Sequence, residues 1–409
     1  MERSVGLLSW RNNIVRLAQK AKEASFDIAK LDTKTKNRLL LEMAKAIKAN
    51  FKKIARENEK DLKNAEKKGF SSAFVDRLTL TPKRLNEVIA SLKAMVKLPD
   101  PVGKEVAKWR RPNKMRVKKV RIPLGVIGII YESRPDVTVD TAALCLKSGN
   151  AVVLRGGSEA FHSNKILSSI LRNVLKKNRI NPDMIQILPT TNHAAVKSLL
   201  AQDRYIDLII PRGGASLMQM VRKLSKIPVI RHDKGVCHVF VDRDADLKMA
   251  EKICINAKVQ RPGTCNAMET LLIDSKIASK FLPRMIQIFK ENGVEVRKKG
   301  FGIEYLDKIV SVKVVKDLNE AIAHIKKYGS LHTEAIVTRN KRHADQFLKE
   351  VLASCVLVNA STRLNDGFQL GLGAEVGIST TKLHAFGPMG LEELTTTKYI
   401  VHGSGQVRQ

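Results

Sequence analysis

The stretch "LGVIGIIY", residues 124–131, decides the fold. It is a short, unbroken apolar run, the pattern of a strand buried on both faces. After it come "AVVLR" (151–155), "IQILP" (185–189), "IDLIIP" (206–211) and "VCHVFV" (236–241), separated mostly by helical stretches. Strand and helix in alternation predict a parallel sheet with helices on both faces. A second series follows Cys265: "ETLLI", a helix through Phe281, "IVSVKVV", a helix through Ile322, "TEAIV", another helix, then "CVLVN". The expected fold is therefore α/β, with two parallel-sheet units and a cysteine loop opening the second.

Outward from this centre, the first hundred residues read as helical. Leu40, Met43, Ala44, Ile47, Phe51 and Ile54 keep the spacing of one apolar helix face, and Gly69 stands where that helix should stop. "LPDPVG" (98–103) marks a break. The segment "KEVAKWRRPNKMRVKKVR" (104–121) holds nine basic residues against one acid, which suits an exposed hairpin better than a buried strand.

Composition narrows the function classes. A chain of 409 residues exceeds one compact core, so two or three domains are expected. No run of eighteen apolar residues occurs, and "MERSVGLLSW" lacks the apolar region of a secretory signal, so no membrane role is expected and the cytoplasm is the expected location. Five cysteines without a C-x-x-C pair argue against a disulfide framework or a cysteine zinc site. The formal charge of +33 would steer polyanions. Most lysines, however, are mixed with acids along helices, as on a solvated surface. The basic segment has Trp109 as its single aromatic, and lacks the stacking residues of a single-strand binder. A nucleic-acid partner is not expected.

Four cysteines read as small buried hydrophobes: Cys145 and Cys254 on apolar helix faces, Cys237 and Cys355 in strands. Cys265 is different. In "NAKVQRPGTCNAMETLLI" (256–273) it follows Arg261, Pro262, Gly263 and Thr264 and precedes Asn266. Nearby cations and oriented N–H groups lower a thiol's pKa, and a thiolate there is a candidate covalent nucleophile. The nine histidines show no H-x-x-x-H spacing, so no metal site is expected. Two strand-to-helix turns carry paired glycines: Arg155-Gly156-Gly157-Ser158 and Arg212-Gly213-Gly214. Such turns let a ligand approach the backbone beside a helix N-terminus that favours an anion, which suggests a phosphorylated cofactor. Neither matches G-x-G-x-x-G.

Together, "VRIPLGVIGIIYESRPDVTVDTAALCLKSGNAVVLRGGSEA", "YIDLIIPRGGA", the Cys265 stretch, "VNASTRL" and "GLGAEVGISTTKLHAFGPMGLEELTTTKY" resemble the family of gamma-glutamyl phosphate reductases, also called glutamate-5-semialdehyde dehydrogenases. This is the proline-biosynthesis branch of the aldehyde dehydrogenase superfamily. The resemblance implies an aldehyde dehydrogenase-like fold. It divides into an NADP(H)-binding domain (1–101 and 122–234), a catalytic domain (235–384) and an oligomerisation region (102–121 and 385–409). It makes Cys265 the nucleophile that attacks L-glutamyl 5-phosphate and expels phosphate. The thioester is then reduced by NADPH to L-glutamate 5-semialdehyde. The backbone N–H of Cys265, with Asn266, is the expected oxyanion donor.

The same resemblance assigns the cofactor residues. Arg155 stands where relatives use a lysine on the adenosine ribose. Ser158 falls near a glutamate of NAD-preferring relatives, and its neutral hydroxyl favours NADPH. Glu304 matches the superfamily glutamate on the nicotinamide ribose, and Gly156, Gly157, Gly213 and Gly214 line the turns. Arg134, Arg212 and Arg363 are candidate anchors for the anionic substrate. His232, in "IRHDKG", stands where hydrolytic relatives keep a water-activating glutamate, which favours acyl-phosphate chemistry over hydrolysis. Phe386 replaces a usual arginine, and the segment from Gly293 to Glu304 is shorter than typical. A homo-oligomer is expected, as is a transient contact with a glutamate kinase that supplies the labile acyl phosphate. Two other readings stay open at this point: an enzyme of the same fold acting on another acyl phosphate or thioester, and a basic nucleic-acid-associated protein without activity.

Overall fold

In the computed structural model, which describes residues 2–231 and 234–408, the run at 124–131 forms the strand Val126–Tyr131, with every residue buried. Its start is pinned by Asp207, whose Oδ2 accepts from the Val126 N–H at 2.7 Å and whose carboxylate meets Lys22 Nζ at 2.9 Å. Gly125 makes room for this: its φ is +122°, and a Cβ there would lie 2.2 Å from Asp207 Oδ2. The strand sits in a four-stranded sheet in the order Ile185–Ile187, Ala151–Arg155, Val126–Tyr131, Leu208–Arg212, all parallel. The chain leaves the first strand for one side and later returns to the other. Such a switch point opens a crevice at the carboxyl ends of the two central strands.

This sheet belongs to a first unit that runs to Ile230 and takes back Leu372–Gly377 and the chain from Met389. The N-terminal helices cover it. The apolar face expected to run unbroken from Leu40 to Ile54 is divided between two helices, Thr33–Ala49 and Phe51–Lys67. Asn50 ends the first: its side-chain amide donates to the Ala46 carbonyl at 2.8 Å, competing with the helix ladder. Gly69, at φ +67°, closes the second, and the Phe70 N–H returns to the Ala65 carbonyl. The basic segment is the expected hairpin, Glu105–Arg110 paired antiparallel with Arg116–Pro123. A third strand, Thr395–His402, completes this small sheet. The edge strand Glu105–Arg110 is exposed throughout.

The second unit comprises Arg231–Gly371 and Ile378–Pro388. Its six-stranded parallel sheet has the order Cys355–Val358, Thr333–Val337, Cys237–Val241, Met268–Asp274, Ile309–Val315, Glu295–Arg297. One expectation is corrected. "VCHVFV" closes the first series in the sequence reading, yet Cys237–Val241 is a central strand of the second sheet. The cysteine loop therefore lies inside the crossover between two neighbouring central strands, after the helix Leu247–Val259, and does not open the unit. One face of the sheet packs on the helices Leu247–Val259 and Ser275–Glu291 through Val239, Leu271, Phe281, Met285 and Phe289. The other packs on Leu318–Tyr328 and Lys341–Glu350 through Phe240, Leu272, Ile325 and Phe347. Burying each such side chain contributes about 1.5–3 kcal/mol, so the strand ends and the cysteine loop rest on a packed base. Among the described residues no helix is long and apolar enough to cross a membrane.

Candidate active site

The helix Leu247–Val259 ends at Gln260, the chain crosses a loop, and the strand begins at Met268. Pro262 and Gly263 stop the helix, and Thr264 ties the turn through Oγ1 to the Arg261 carbonyl at 2.8 Å. Cys265 sits half-buried in this loop; Cys145, Cys237 and Cys254 are buried and Cys355 is half-buried. Burial pushes the thiols of Cys145, Cys237, Cys254 and Cys355 up, away from thiolate.

The peptide of Cys265 is braced from below. The Cys237 thiol donates to the Cys265 carbonyl at 3.2 Å. Gly235 lies against the same peptide so closely that a Cβ would stand 1.9 Å from that carbonyl oxygen. The N–H of Gly235 donates to Glu304 Oε1 at 2.9 Å. One glycine thus touches both the Cys265 backbone and the expected ribose ligand. Burial pushes the Glu304 carboxyl up, opposed by the Gly235 N–H and by Lys234.

Asn266 and Arg363 are part of the same brace. Asn266 is buried, and its Nδ2 donates to the Asn365 carbonyl at 3.0 Å. Arg363 donates through Nη1 to Asn266 Oδ1 and through Nε to Gln260 Oε1 at 2.9 Å, spanning the loop from end to end. Burial, with Arg261 nearby, pulls its guanidinium pKa down. Asn365 in turn donates to Thr333 Oγ1 at 2.7 Å, beside the buried pair His238–Glu334. Phe386 is half-buried in the segment between the paired Ile378–Ser379 and Gly387–Pro388 strands. His232 lies outside the described residues.

The first unit holds the other predicted residues at the carboxyl ends of its strands. Arg155 is buried, its Nε has no hydrogen-bond partner, and burial pulls its pKa down against the pull of Glu159 and Glu132. An orphaned guanidinium N–H at this edge fits an oxygen-bearing ligand such as a ribose. Ser158 is exposed, while Arg134 and Arg212 are half-buried. Three of the four turn glycines lie against neighbouring side chains. A Cβ on Gly157 would meet the Glu159 carboxylate at 2.1 Å, and one on Gly213 the Glu132 carboxylate at 2.5 Å. A Cβ on Gly156 would meet Asn164 Nδ2 at 2.0 Å, whereas Gly214 faces open space. Glu159 and Glu132 escaped the sequence reading. Glu159 Oε1 accepts from the Ser133 N–H at 2.7 Å, and Glu132 Oε2 accepts from the Gly214 N–H at 3.0 Å. Both tie neighbouring strand ends together, through partners no local pattern reveals.

One further titratable group escaped notice. Asp242, Asp244 and His343 gather past the carboxyl end of the central strand Cys237–Val241, with donor atoms close enough for a cation. His343 Nδ1 lies 2.9 Å from Asp242 Oδ2, which also accepts from Thr338, while the buried Asp242 Oδ1 has no hydrogen-bond partner.

Residues 9–299 match the aldehyde dehydrogenase family. A gamma-glutamyl phosphate reductase from Thermodesulfovibrio yellowstonii is 54% identical, over 97% of this chain and 99% of that protein. One from Carboxydothermus hydrogenoformans is 52% identical, over 97% and 100%. The crystal structure of gamma-glutamyl phosphate reductase from Thermotoga maritima superposes with a TM-score of 0.94 at 43% identity, covering 97% of this chain and all of that one (100%). Matches of this depth, running through the braced cysteine loop as through the rest of the sequence, leave one conclusion: the chain belongs to the gamma-glutamyl phosphate reductase family, a branch of the aldehyde dehydrogenases.

Proposed function

We propose that this enzyme reduces L-glutamyl 5-phosphate to L-glutamate 5-semialdehyde with release of phosphate, in proline biosynthesis, using NADPH. The observation that carries the reading is the Cys265 loop. A half-buried thiol stands on a peptide held by Gly235, Cys237, Asn266 and Arg363, with the Glu304 carboxylate on the same glycine. Preorganisation of this kind serves covalent catalysis, because the nucleophile needs no search at the moment of attack.

The Cys265 thiolate attacks the acyl carbon. The C–S bond forms, the acyl C–O bond to phosphate breaks, and phosphate leaves. The Cys265 backbone N–H is the proposed donor to the oxyanion of each tetrahedral species. Asn266, which the structure engages with Asn365 and Arg363, holds the loop that aims this donor. Bound NADPH supplies the hydride that brings the acyl group to the aldehyde level. Collapse of the resulting thiohemiacetal frees the aldehyde and returns the thiolate to Cys265. Glu304 and Arg155 hold the cofactor's riboses, and among the turn glycines Gly156, Gly157, Gly213 and Gly214 it is Gly214, facing open space, that leaves room for its approach. The preference for NADPH over NADH rests on Ser158, exposed and uncharged, and on the inward turn of Glu159 toward Ser133. Arg134, Arg212 and Arg363 supply the cationic field for the substrate's carboxylate and phosphate.

The three-stranded antiparallel sheet is the proposed contact with a second copy of the chain. It exposes Val106, Trp109, Tyr399 and Val401, and Trp109 packs edge-on against Tyr399. The cytoplasm is the proposed location, and a glutamate kinase the proposed transient partner that hands over the acyl phosphate.

The test runs the reaction backwards. Glutamate 5-semialdehyde, phosphate and NADP are supplied, and NADPH absorbance is followed for wild type and Cys265→Ser. Phosphate-dependent formation lost in the variant supports the reading; phosphate-independent turnover points to a hydrolytic dehydrogenase.

A further inference from the structure

The second unit contains an ion pair that the chemistry above does not use. Lys258, in the last turn of the helix before the cysteine loop, and Glu269, at the second position of the strand after it, are both fully buried. Lys258 Nζ donates to Glu269 Oε2 at 2.8 Å. Burying two charges is expensive, and an apolar pair of similar volume would serve the core as well or better. The geometry shows what the apolar pair could not do. The other oxygen, Glu269 Oε1, accepts from the backbone N–H of Leu306 at 3.2 Å. Leu306 stands at φ +54°, a conformation a leucine adopts only when its surroundings hold it there. Its carbonyl lies in van der Waals range of Gly263, with 3.6 Å to a Cβ built there. Two residues upstream is Glu304.

Glu269 therefore reaches three things at once: the helix that delivers the cysteine loop, the strand that receives it, and the turn that carries Glu304. We infer that the Lys258–Glu269 pair is a positioning clasp that fixes the Glu304 turn against the base of the Cys265 loop. Neither residue touches the reacting atoms; both act through Leu306 and Glu304. Burial pushes the Glu269 carboxyl up to about 7, against the pull of Lys258 and of the Leu306 and Tyr305 N–H groups that face it. Lys258 is pulled down by the same burial.

The inference rests on Glu304 being the cofactor-ribose ligand, and its test separates the two ideas. The double variant Lys258→Met/Glu269→Met puts an apolar pair in place of the ion pair, so its thermal stability is expected to stay near wild type, while the Leu306 N–H loses its acceptor. Affinity for NADPH, read by nicotinamide fluorescence without turnover, is expected to fall roughly tenfold, the scale of one misplaced hydrogen-bonding group. The same double change placed on a Glu304→Gln background is expected to cost nothing further, because the clasp acts through Glu304. Amide hydrogen exchange across 304–306, measured without cofactor, is expected to quicken. Glu269→Gln keeps the side chain's shape and should move every readout the same way by less, which covers a double variant that folds poorly. Wild-type affinity and unchanged exchange in the double variant would overturn the inference, as would an equal loss on both backgrounds. If wild type itself fails to bind NADPH, the cofactor reading falls, and the exchange at 304–306 still decides whether the clasp exists.

Discussion

Replacing Gly235 by alanine tests the brace beneath Cys265. A Cβ at this position would stand 1.9 Å from the Cys265 carbonyl oxygen and 2.6 Å from its carbonyl carbon and Cα. Ordinary contact between carbon atoms begins near 3.5 Å, so a displacement of about 1 Å is unavoidable. The atoms in the way are backbone, and no rotamer change relieves them. A shift of about 1 Å at a reacting group costs roughly a hundredfold in rate, whereas overpacking a core site costs about 1–3 kcal/mol of stability. The Gly235 N–H also holds Glu304, so the KM for the cofactor should rise together with the fall in kcat. Gly263→Ala is the control in the same loop, since the nearest atom to its Cβ is the Leu306 carbonyl oxygen at an unstrained 3.6 Å. The assay is phosphate-dependent NADPH formation, with the thermal melt followed by circular dichroism. A Gly235→Ala protein that melts like wild type and keeps kcat/KM within about threefold would refute this account of how Cys265 is held.

Three further outcomes are expected. Brief treatment of the folded protein with iodoacetamide at neutral pH should modify Cys265 ahead of the other cysteines, whose thiols burial pushes up; peptide mass spectrometry showing Cys355 labelled first would contradict it. Burial raises the Glu304 carboxyl above the ordinary range, so its acceptor form is lost earlier as pH falls. NADPH affinity should therefore weaken below neutrality from a pH higher than a solvated glutamate would set, and Glu304→Gln should flatten that profile. Ser158→Glu places a carboxylate where the 2′-phosphate is proposed to lie, and should shift the ratio of kcat/KM for NADPH over NADH by roughly tenfold or more toward NADH; an unchanged ratio would remove Ser158 from the specificity argument.

The parts of the fold that were legible in the sequence are those written in contiguous residues. "LGVIGIIY" and "AVVLR" are strands because nothing polar interrupts them, and the basic hairpin is one because its charges exclude burial. Pairings at long range were not legible. Whether "VCHVFV" belongs to the first or second sheet depends on Thr333–Val337 and Met268–Asp274 flanking it, which no local pattern announces. The Asn50 break escaped because its apolar spacing continues on both sides. At the site, Cys265 was legible from the residues around it, as was the family resemblance. The carboxylates Glu132, Glu159 and Glu269 were not, because each finds its partner across strand ends or across a loop. The glycines at 157 and 213 were visible as turns, whereas the carboxylates of Glu159 and Glu132 that pack beside them were not.

The central claim is that Cys265 carries a thioester which phosphate, and not water, releases. Wild type and Cys265→Ser are each mixed with glutamate 5-semialdehyde and NADP in the absence of phosphate, and NADPH is followed from the first milliseconds. The account predicts for wild type a burst of one NADPH per Cys265 that then stops, resumes when phosphate is added, and has no counterpart in the variant. Steady turnover without phosphate, or an undiminished burst from Cys265→Ser, would contradict it.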